Sequence, residues 1–461
     1  MHAVSQGTSP KCPFITGHLT LFAKDPLAFL ESCVRGHGDV VPLRFLNRPV
    51  LLVNTPEAIE SVLVTQSRSF RKTLGYRTPF MRRLFGQGLL TSEGELWTRQ
   101  RRLAQPAFHR DRIASYARVV VEFAERLRRQ WRDGESRNVH ADTMRLTTEV
   151  VTMSLFHSPV PPEIDRLTEA SAVVMNQFTR QWNAWRILLA WLPNRGRRDF
   201  DEVMNRLDAF IYRLIAERRA SGRDEGDLLS MLLAARDELG TGMNDRQLRD
   251  ELTTLMVAGL DTTALALSWS LFLLAKNPEV DRKLELELET MLAGRLPRFE
   301  DLPKLRFTEM VVKEAMRLYP PAWIVGREAT QSCNIGGQPV PAGTSVIMSQ
   351  WLQHRDIRHF WEPFEFRPQR WESGHDLPKF AYFPFGGGPR ICIGSSFAML
   401  EAVLALATLA QAFRVSCRSD YNVQPFASIT LQPQGGIVLK IETRKQTLAN
   451  ASSPRERVAA P

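Results

Sequence analysis

A single thiol lies near the end of a glycine-rich loop in the run Phe385-Gly386-Gly387-Gly388-Pro389-Arg390-Ile391-Cys392-Ile393-Gly394, and a helical stretch follows at once. Three consecutive glycines allow a close approach to a flat group and positive φ angles without steric cost. A helix that starts here places Cys392 beside free backbone N–H groups and a positive dipole end, which favour thiolate over thiol. Such a thiolate is a nucleophile or a metal ligand, and haem iron is the ligand case that needs a flat, close approach.

Taken alone, the loop also fits a buried structural cysteine, which is the common fate of a free Cys. The spacing Phe-x-x-Gly-x-Arg-x-Cys-x-Gly, filled here by Phe385, Gly388, Arg390, Cys392 and Gly394, resembles the haem-binding signature of the cytochrome P450 family. The resemblance implies haem b as cofactor and Cys392 as the axial ligand of its iron. It also implies that Phe385, Arg390 and Gly394 belong to the cofactor-binding loop.

The length of the chain, 461 residues, exceeds the limit of about 250–300 residues for one hydrophobic core, so two or three domains would be the default count. However, no Pro/Gly/Ser-rich linker, low-complexity stretch or internal repeat divides the sequence. We therefore predict one domain over residues 20–443. A partly flexible leader at residues 1–20 precedes it, and a disordered tail at residues 444–461 follows it.

Cysteine usage and the N-terminus indicate the compartment. Five cysteines without C-x-x-C spacing argue against a disulfide framework or a zinc site. The stretch Met1–Leu30 has charges and prolines where a signal peptide or a membrane anchor needs an apolar block. We predict a reducing, cytoplasmic location. Membrane-bound members of the resembled family carry an N-terminal anchor, so the resemblance implies a soluble, bacterial protein.

The longest apolar stretch, Leu252–Ala275, is long enough to span a bilayer. Gly259 and Asp261 lie in its middle, and an unpaired carboxylate at the centre of a bilayer is costly. A helix buried inside a large soluble domain explains apolar residues on all of its faces. The prediction is therefore a core helix and no membrane span.

The middle of this helix contains the run Ala258-Gly259-Leu260-Asp261-Thr262-Thr263, which resembles the oxygen-activation motif of the same family. The resemblance implies that Ala258 and Gly259 leave room for dioxygen over the haem. Asp261 and Thr262 are the predicted catalytic residues, because a carboxylate beside a hydroxyl can relay the protons that dioxygen cleavage consumes. Thr262 can also bond a carbonyl one turn back and loosen the helix. The alternative is a satisfied threonine in a kinked core helix.

Two further matches predict structural residues. Glu314 and Arg317 lie three residues apart, hence on one helical face, and they resemble the Glu-x-x-Arg pair of the family. Arg370, in Phe366-Arg367-Pro368-Gln369-Arg370-Trp371, resembles the arginine that completes a Glu/Arg/Arg cluster behind the cysteine loop. A carboxylate held by two guanidiniums is a stiff, charge-assisted brace. We assign these three residues to folding and haem retention.

Haem brings two propionates, which need cationic partners. Trp97 and Arg101 lie four apart on a predicted helix, so an indole N–H and a guanidinium can converge on one carboxylate. They resemble the Trp-x-x-x-Arg of the family, and Arg327 and Arg390 match its other propionate-binding arginines. A surface salt bridge is the alternative for Arg327.

The formal net charge of +10 raises the question of a charged partner. The clusters Arg99–Arg102 and Arg195–Arg198 are basic, yet no interleaved aromatics or nucleic-acid-binding module accompanies them. We therefore predict no nucleic-acid partner. An acidic protein partner fits better, and solvated basic faces are the alternative.

The resemblance implies a mainly α cytochrome P450 fold: a single large helical domain with small antiparallel β regions. It also implies a monomeric monooxygenase that places one oxygen atom in a C–H or C=C bond. No flavin or iron–sulfur domain follows the haem loop, so electrons would come from an acidic ferredoxin or flavodoxin with its reductase. A thiolate-haem sensor or carrier and a non-oxygenating isomerase are the rivals. Neither has a use for Asp261 and Thr262.

The order of segments in the family predicts the substrate pocket. It would be lined by residues 76–90, by residues around 175–185, by Leu255, Met256 and Ala258, and by the ranges 322–325 and 427–430, in which Ala322, Val325, Ser428 and Ile429 are the chief candidates. Nearly all of them are apolar, which favours a lipophilic substrate such as a fatty acid, a terpenoid or a polyketide. Each of these residues could equally be core. The stretch Trp185–Trp191 could be a lip over the entrance, with packed core as the alternative.

Local patterns predict three further elements. Val40–Phe45 and Pro49–Val53 read as a hairpin, and so does the stretch Thr430–Leu439 around its glycines. Apolar residues at helical spacing between Val203 and Ile215 predict an amphipathic helix on a core.

Overall fold

A computed structural model describes residues 9–158, 195–372 and 376–444, which are mainly helical. The α-helices are α1 (Leu19–Lys24), α2 (Pro26–His37), α3 (Pro56–Glu60), α4 (Pro79–Phe85), α5 (Gly94–Ala104), α6 (Arg110–Gln130), α7 (Val139–Phe156), α8 (Arg195–Ser221), α9 (Leu228–Ala234), α10 (Asp245–Lys276), α11 (Pro278–Leu292), α12 (Arg306–Leu318), α13 (Gln350–Gln353) and α14 (Ser395–Ala410). The amphipathic helix predicted between Val203 and Ile215 is confirmed, because it lies in α8 and buries Met204 and Ile211.

Short strands form small sheets beside the helices. The strands are β1 (Val40–Phe45), β2 (Arg48–Val53), β3 (Phe70–Lys72), β4 (Ser136–Asn138), β5 (Val325–Ala329), β6 (Cys333–Ile335), β7 (Gln338–Val340), β8 (Ser345–Met348), β9 (Phe413–Ser416), β10 (Pro425–Ala427), β11 (Leu431–Pro433) and β12 (Val438–Thr443). The largest sheet has the order β1-β2-β8-β5-β3. Its pairs are antiparallel except β2 with β8, which run parallel.

The first predicted hairpin is confirmed and the second is wrong. Strands β1 and β2 pair from Val40 opposite Val53 to Phe45 opposite Arg48. In the later segment β11 pairs with β10, whereas β12 pairs with β4 and β9. Gly435 and Gly436 both have positive φ and direct the chain out of one sheet and into another. The glycines mark a turn, but the strands they separate lie in different sheets.

Helix α10, which has 32 residues, is the central helix of the fold. A capping box between Asn244 and Gln247 fixes its start, since each side chain bonds the backbone N–H of the other. Two threonines of α7 donate to its carbonyls, Thr147 to Leu260 at 2.7 Å and Thr143 to Ala264 at 3.1 Å. Its most apolar window is 78% buried within the protein, as expected for a core helix.

Helix α14 follows the cysteine loop directly and buries every residue from Leu400 to Ala410. It packs against α6, where the ring of Tyr116 meets Phe397 edge to face at 5.5 Å. Glu401 of α14 is fully buried as well, and burial raises the pKa of its carboxyl to about 8. The loop that carries Cys392 is therefore anchored to the most buried part of the core.

Candidate active site

The cysteine loop is closed by a backbone hydrogen bond from Cys392 N to Phe385 O at 3.0 Å. Gly388 has φ +68°, and a Cβ there would lie 1.8 Å from the carbonyl oxygen of Leu63. A side chain would therefore both strain the backbone and collide with the neighbouring segment. Glycine at this position serves the approach of the protein's own backbone, a reason that the sequence pattern did not predict.

Cys392 is an exposed residue, although protein atoms surround its thiol closely. Burial raises the pKa of Cys392, whereas a hydrogen bond from the Gly394 N–H and the charge of Arg101 lower it. The backbone N–H at the helix start thus lowers the thiol pKa, as predicted, but burial raises it by more when no cofactor is bound. A bound metal ion would deprotonate the thiol outright.

Three of the predicted propionate-binding residues meet beside this loop. The guanidinium of Arg390 lies 4.5 Å from the centroid of the Trp97 ring and pairs with Glu93. Arg101, four residues after Trp97 on α5, donates to the carbonyl oxygen of Ile391 at 2.9 Å. Helix α5 and the cysteine loop are therefore held together by aromatic, ionic and backbone contacts.

Arg327, the fourth predicted ligand, lies on β5 directly opposite Lys72 of β3. Burial lowers the pKa of Arg327 and, with the positive charge of Arg390, lowers that of Lys72 to about 7. Lys72 Nζ donates to the carbonyl oxygens of Leu89 at 2.8 Å and Ser92 at 3.0 Å. Sequence analysis missed Lys72, because a lysine in a three-residue strand has no motif to mark it.

These cations outnumber the nearby acids. Glu93 pairs with Arg390 and accepts from the Lys72 backbone N–H at 2.7 Å. Glu251 also lies near Lys72, but burial raises its pKa to about 8 and favours the neutral form. The positive charge around the loop is therefore not fully balanced by neighbouring carboxylates, and an additional anion could bind there. We call Lys72, Arg101, Arg327 and Arg390 the cationic edge.

The predicted catalytic motif lies in the middle of α10, which continues through it without a break. Ala258 is exposed, although Met256 and Leu260 on either side are buried. The hydroxyl of Thr262 donates to the Ala258 carbonyl oxygen at 2.7 Å. A Cβ at Gly259 would lie 3.0 Å from Val151 of α7, so this glycine serves helix packing.

Asp261 is buried and its carboxylate is held by β11 and the residue before it. Gln432 Nε2 lies 2.9 Å from both carboxylate oxygens, and Thr430 Oγ1 donates to Oδ2 at 2.5 Å. In the part of the chain that the structure describes, the hydroxyl of Thr262 forms no hydrogen bond with this carboxylate. The two residues of the predicted relay are adjacent in sequence but their polar atoms are not in contact.

The predicted Glu/Arg/Arg cluster is assembled in the core. Arg317 bonds both carboxylate oxygens of Glu314 at 2.9 Å, and Arg370 Nε donates to Oε1 at 2.8 Å. The Trp371 indole N–H donates to Oε2 at 3.0 Å, a partner that the sequence analysis did not name. The backbone N–H of Arg367 is a fifth donor, at 3.0 Å from Oε1. Glu314 and Arg317 are fully buried, so these five donors replace water around the carboxylate.

This cluster is connected to the segment before the cysteine loop. Arg317 donates to the backbone carbonyl oxygen of His354 at 2.8 Å. His354 Nε2 accepts from the backbone N–H of Phe383 at 3.0 Å, two residues before Phe385. Burial, followed by the charges of Arg317 and Arg355, lowers the pKa of His354 and keeps the ring neutral.

The residues predicted to line the pocket fall into two groups. Leu255, Ala322, Val325 and Ile429 are half-buried. Met256 is fully buried in the core, and Ser428 is buried with its carbonyl oxygen accepting from the Trp323 indole at 2.9 Å. The predicted lining around residues 175–185 and the predicted lip at 185–191 lie outside the described residues.

The basic cluster Arg99–Arg102 is occupied by internal contacts. Arg99 pairs with Asp237 at 2.6 Å, and Arg102 pairs with Glu238. Arg101 faces the cysteine loop, as described above. This cluster is therefore no free basic patch, and the side chains of residues 195–197 in the second cluster lie outside the described residues.

Comparison with known proteins decides the family. A family model described as Cytochrome P450 matches residues 8–441, nearly the whole chain. The chain belongs to the cytochrome P450 family. It is 38% identical to cyclooctatin synthase of Streptomyces melanosporofaciens, over 93% of each chain. It is also 36% identical to cyclooctat-9-en-7-ol 5-monooxygenase of the same organism, over 89% of each chain.

The similarity extends to other relatives. The chain is 32% identical to pentalenene oxygenase of Streptomyces avermitilis, over 96% of this chain and 98% of the relative. The predictions of the P450 fold, of haem b and of monooxygenase activity are confirmed. The protein is a haem-thiolate monooxygenase for a lipophilic molecule, and like other P450 monooxygenases it takes electrons from a redox partner.

The residues present at the candidate site fit this cofactor. Cys392 is an exposed residue just before the start of α14. Its sulfur is a donor of the type that the cofactor's iron requires. The cationic edge beside it carries more positive charge than Glu93 neutralises, which suits two propionates. Haem bound here would supply the activation of dioxygen.

Proposed function

We propose that the protein oxygenates a terpenoid, with Cys392 as the axial thiolate ligand of its haem. The observation that carries the proposal is the position of the exposed residue Cys392 beside the cationic edge, where the charge of Arg101 lowers the pKa of the thiol against the effect of burial. A guanidinium near the sulfur favours its ionised form, which is the form that binds metal.

The cationic edge and Trp97 would hold the two propionates. Charge-assisted hydrogen bonds from guanidinium groups are the strongest available to a carboxylate. Arg390 is already oriented by its contact with Trp97 and its ion pair with Glu93, so little side-chain entropy remains to be lost. We assign Phe385 and Gly394 to the shape of the loop, since Phe385 closes it and Gly394 donates to the sulfur.

We assign proton delivery to Asp261 and Thr262. Thr262 is half-buried and its hydroxyl bonds the carbonyl oxygen of the exposed Ala258, which places it on the accessible side of the helix. Asp261 is the carboxylate closest to it in sequence, and a hydrogen bond from Gln432 of β11 holds it in place. The carboxylate has to turn, or a water molecule has to join the two groups, before a proton passes.

Glu314, Arg317 and Arg370 have a structural role in this account. Their cluster fixes His354, and His354 fixes the Phe383 backbone just before the cysteine loop. A buried carboxylate with its full set of donors resists rearrangement, because each broken bond would leave a buried charge unpaired. The cluster therefore stabilises the position of Cys392.

The substrate class follows from apolar lining and from similarity. Leu255, Ala322, Val325 and Ile429 are partly accessible and apolar, as a site for a hydrocarbon requires. The relatives named for cyclooctat-9-en-7-ol and pentalenene support a terpenoid over a fatty acid or a polyketide.

An acidic ferredoxin or flavodoxin is the proposed electron donor. Arg110 and Arg112 are exposed at the start of α6 and form no ion pair with the described residues. Arg110 lines a surface depression of about 400 Å³ together with Ser396 and Met399 of α14. Ser396 is four residues after Cys392, so a donor bound here would lie close to the thiolate.

We further propose that residues 20–443 form one haem-binding domain of a cytoplasmic protein. The family match over residues 8–441 supports a single unit. In the described part of the chain, the one helix long and apolar enough for a membrane span is the buried α10. Of the proposed leader, residues 1–20, the structure describes residues 9–20, which include the start of α1 at Leu19, whereas the proposed tail, residues 444–461, lies outside the described residues beyond residue 444.

A binding and turnover screen tests the substrate class. The purified protein is titrated with terpenoids, fatty acids and polyketide fragments, and absorbance reports displacement of the water ligand of the iron. Positive compounds are then turned over under isotopically labelled oxygen. We expect a terpenoid product that contains one labelled atom. Labelled products from fatty acids alone would contradict the proposed class.

A further inference from the structure

His140, in the first turn of α7, lies next to the group that holds Asp261. Its Nδ1 atom is 3.3 Å from the hydroxyl of Ser268 on α10. The Gln432 side chain also forms a hydrogen bond with the imidazole. Since Gln432 Nε2 is directed at both oxygens of Asp261, the amide oxygen of Gln432 is the atom left to accept from the ring. The imidazole and the carboxylate therefore share one amide.

The two titratable groups differ in their access to solvent. Asp261 is 6% exposed, whereas His140 is half-buried and Gln432 is half-buried between them. Thr430 fills the remaining side of the carboxylate. His140 is thus a titratable group beside this buried carboxylate that solvent can reach.

The electrostatic environment of His140 contains few charges. Asp261 of α10 is the charged group that acts on it among the described residues, while Ser268 of α10 and Gln432 of β11 are neutral. Burial lowers the pKa of His140, and the charge of Asp261 and the bond to Gln432 raise it.

We propose that His140 is a positioning residue for Asp261, and that its charge decides how firmly the carboxylate is held on Gln432. This inference rests on the proton-delivery role proposed for Asp261. With the ring protonated, its positive charge attracts the carboxylate of Asp261 and holds it on Gln432. With the ring neutral, the attraction is lost, and the carboxylate is freer to leave Gln432 and turn toward Thr262.

The first test measures the coupling of the two groups without turnover. The protein is labelled with ¹³C at histidine Cε1, and His140 is titrated by NMR in the reduced, carbonyl-bound holoprotein. In Asp261→Asn the pKa of His140 is expected to fall, because the carboxylate charge that raised it is absent. An unchanged pKa of His140 would overturn the proposal.

The second test measures peroxide released per electron pair against pH. In the wild type this fraction is expected to rise as the pH falls through the pKa of His140, because protonation holds Asp261 in place. His140→Gln keeps a hydrogen-bonding side chain but does not titrate, so the rise should disappear. His157→Asn is the matched control, since His157 ends the same helix with φ +48° and asparagine tolerates that conformation. It should keep the wild-type profile.

The outcomes separate this inference from the proposed function. If Asp261→Asn releases no more peroxide than wild type, the role of Asp261 fails and this inference fails with it. If Asp261→Asn uncouples turnover but His140→Gln keeps the wild-type pH profile, only this inference is overturned. Should His140→Gln fold poorly, the NMR titration decides, since it leaves His140 in place.

Discussion

Lys72 and Arg327 are direct cross-strand partners between β3 and β5, so two cations face each other beside the candidate cofactor site. Like charges directly opposite in a sheet are destabilising. Burial, followed by the charges of Arg390 and then Arg327, lowers the pKa of Lys72 to about 7. The pair is explained if an anionic group joins it, and we propose that the haem propionates are that group.

Haem retention should therefore depend on pH through Lys72. The propionates favour the protonated amine, so they raise its pKa above 7, and haem binding takes up a proton at pH values between the two pKa values. Haem affinity should then fall as the pH rises above about 7, on the order of tenfold for each unit by which haem raises this pKa. Haem transfer from the protein to excess apomyoglobin measures this change in haem affinity.

Two variants check this pH dependence. Lys72→Met removes the titrating amine and should give a flatter profile of haem loss above neutral pH. Lys379→Met removes an exposed lysine that pairs with Glu60, and it should keep the wild-type slope. A steep slope that persists in Lys72→Met would contradict the assignment of Lys72 to the cationic edge.

Glu314→Gln should be strongly destabilising. The substitution leaves Arg317 and Arg370 without their buried counter-charge, and breaking such a pair costs about 3–5 kcal/mol. Glu309→Gln, on the same helix, breaks an exposed pair with Lys313 and should cost less than about 1 kcal/mol. Urea unfolding followed by tryptophan fluorescence measures both, and equal losses would refute the structural role of the cluster.

Sequence reasoning found the parts of the site that short motifs encode. The positions of Cys392, Glu314 and Arg317 follow from spacing within one loop or one helix, because such contacts are local. Lys72 could not be found, because its neighbours Leu89 and Arg327 are distant in sequence. Only the folded sheet brings them together.

The fold also divides into contacts that are local in sequence, which were predictable, and distant ones, which were not. The first hairpin was predictable, since both of its strands and their turn are consecutive. The later one failed, because β12 pairs with β4, about 300 residues earlier in the chain. The partners of Asp261 were missed for the same reason: Thr430 and Gln432 are separated from it by 169 and 171 residues.

Thr262→Ala should keep its haem but release much of the reduced oxygen as peroxide. The change removes the hydroxyl that lies on the accessible turn of α10, whereas the helix keeps its backbone bonds. Ser270→Ala is the control, because Ser270 makes the same bond to the residue four earlier but is buried in the core. Peroxide and product are counted per electron pair, and full coupling in Thr262→Ala would refute the relay.

Reversal of charge at the start of α6 should slow reduction by an acidic ferredoxin. Arg110→Glu with Arg112→Glu turns two attractive charges into repulsive ones, and at low salt the rate should fall by at least tenfold. Arg126→Glu is the control, since it lies near the other end of α6 and pairs with Glu122. Stopped-flow reduction at several ionic strengths measures the rates. Equal rates in both variants would exclude this surface as the docking site.

The central claim is that the sulfur of Cys392 is bonded to haem iron, and the absorption spectrum of the reduced carbonyl adduct tests it most directly. The wild type should show the long-wavelength band typical of thiolate coordination, and Cys392→Ser should lose it. Loss of that band in Cys392→Ser, with the band retained in Cys417→Ser, is the predicted result. A wild-type protein without the band, or a Cys392→Ser protein that keeps it, would contradict the account.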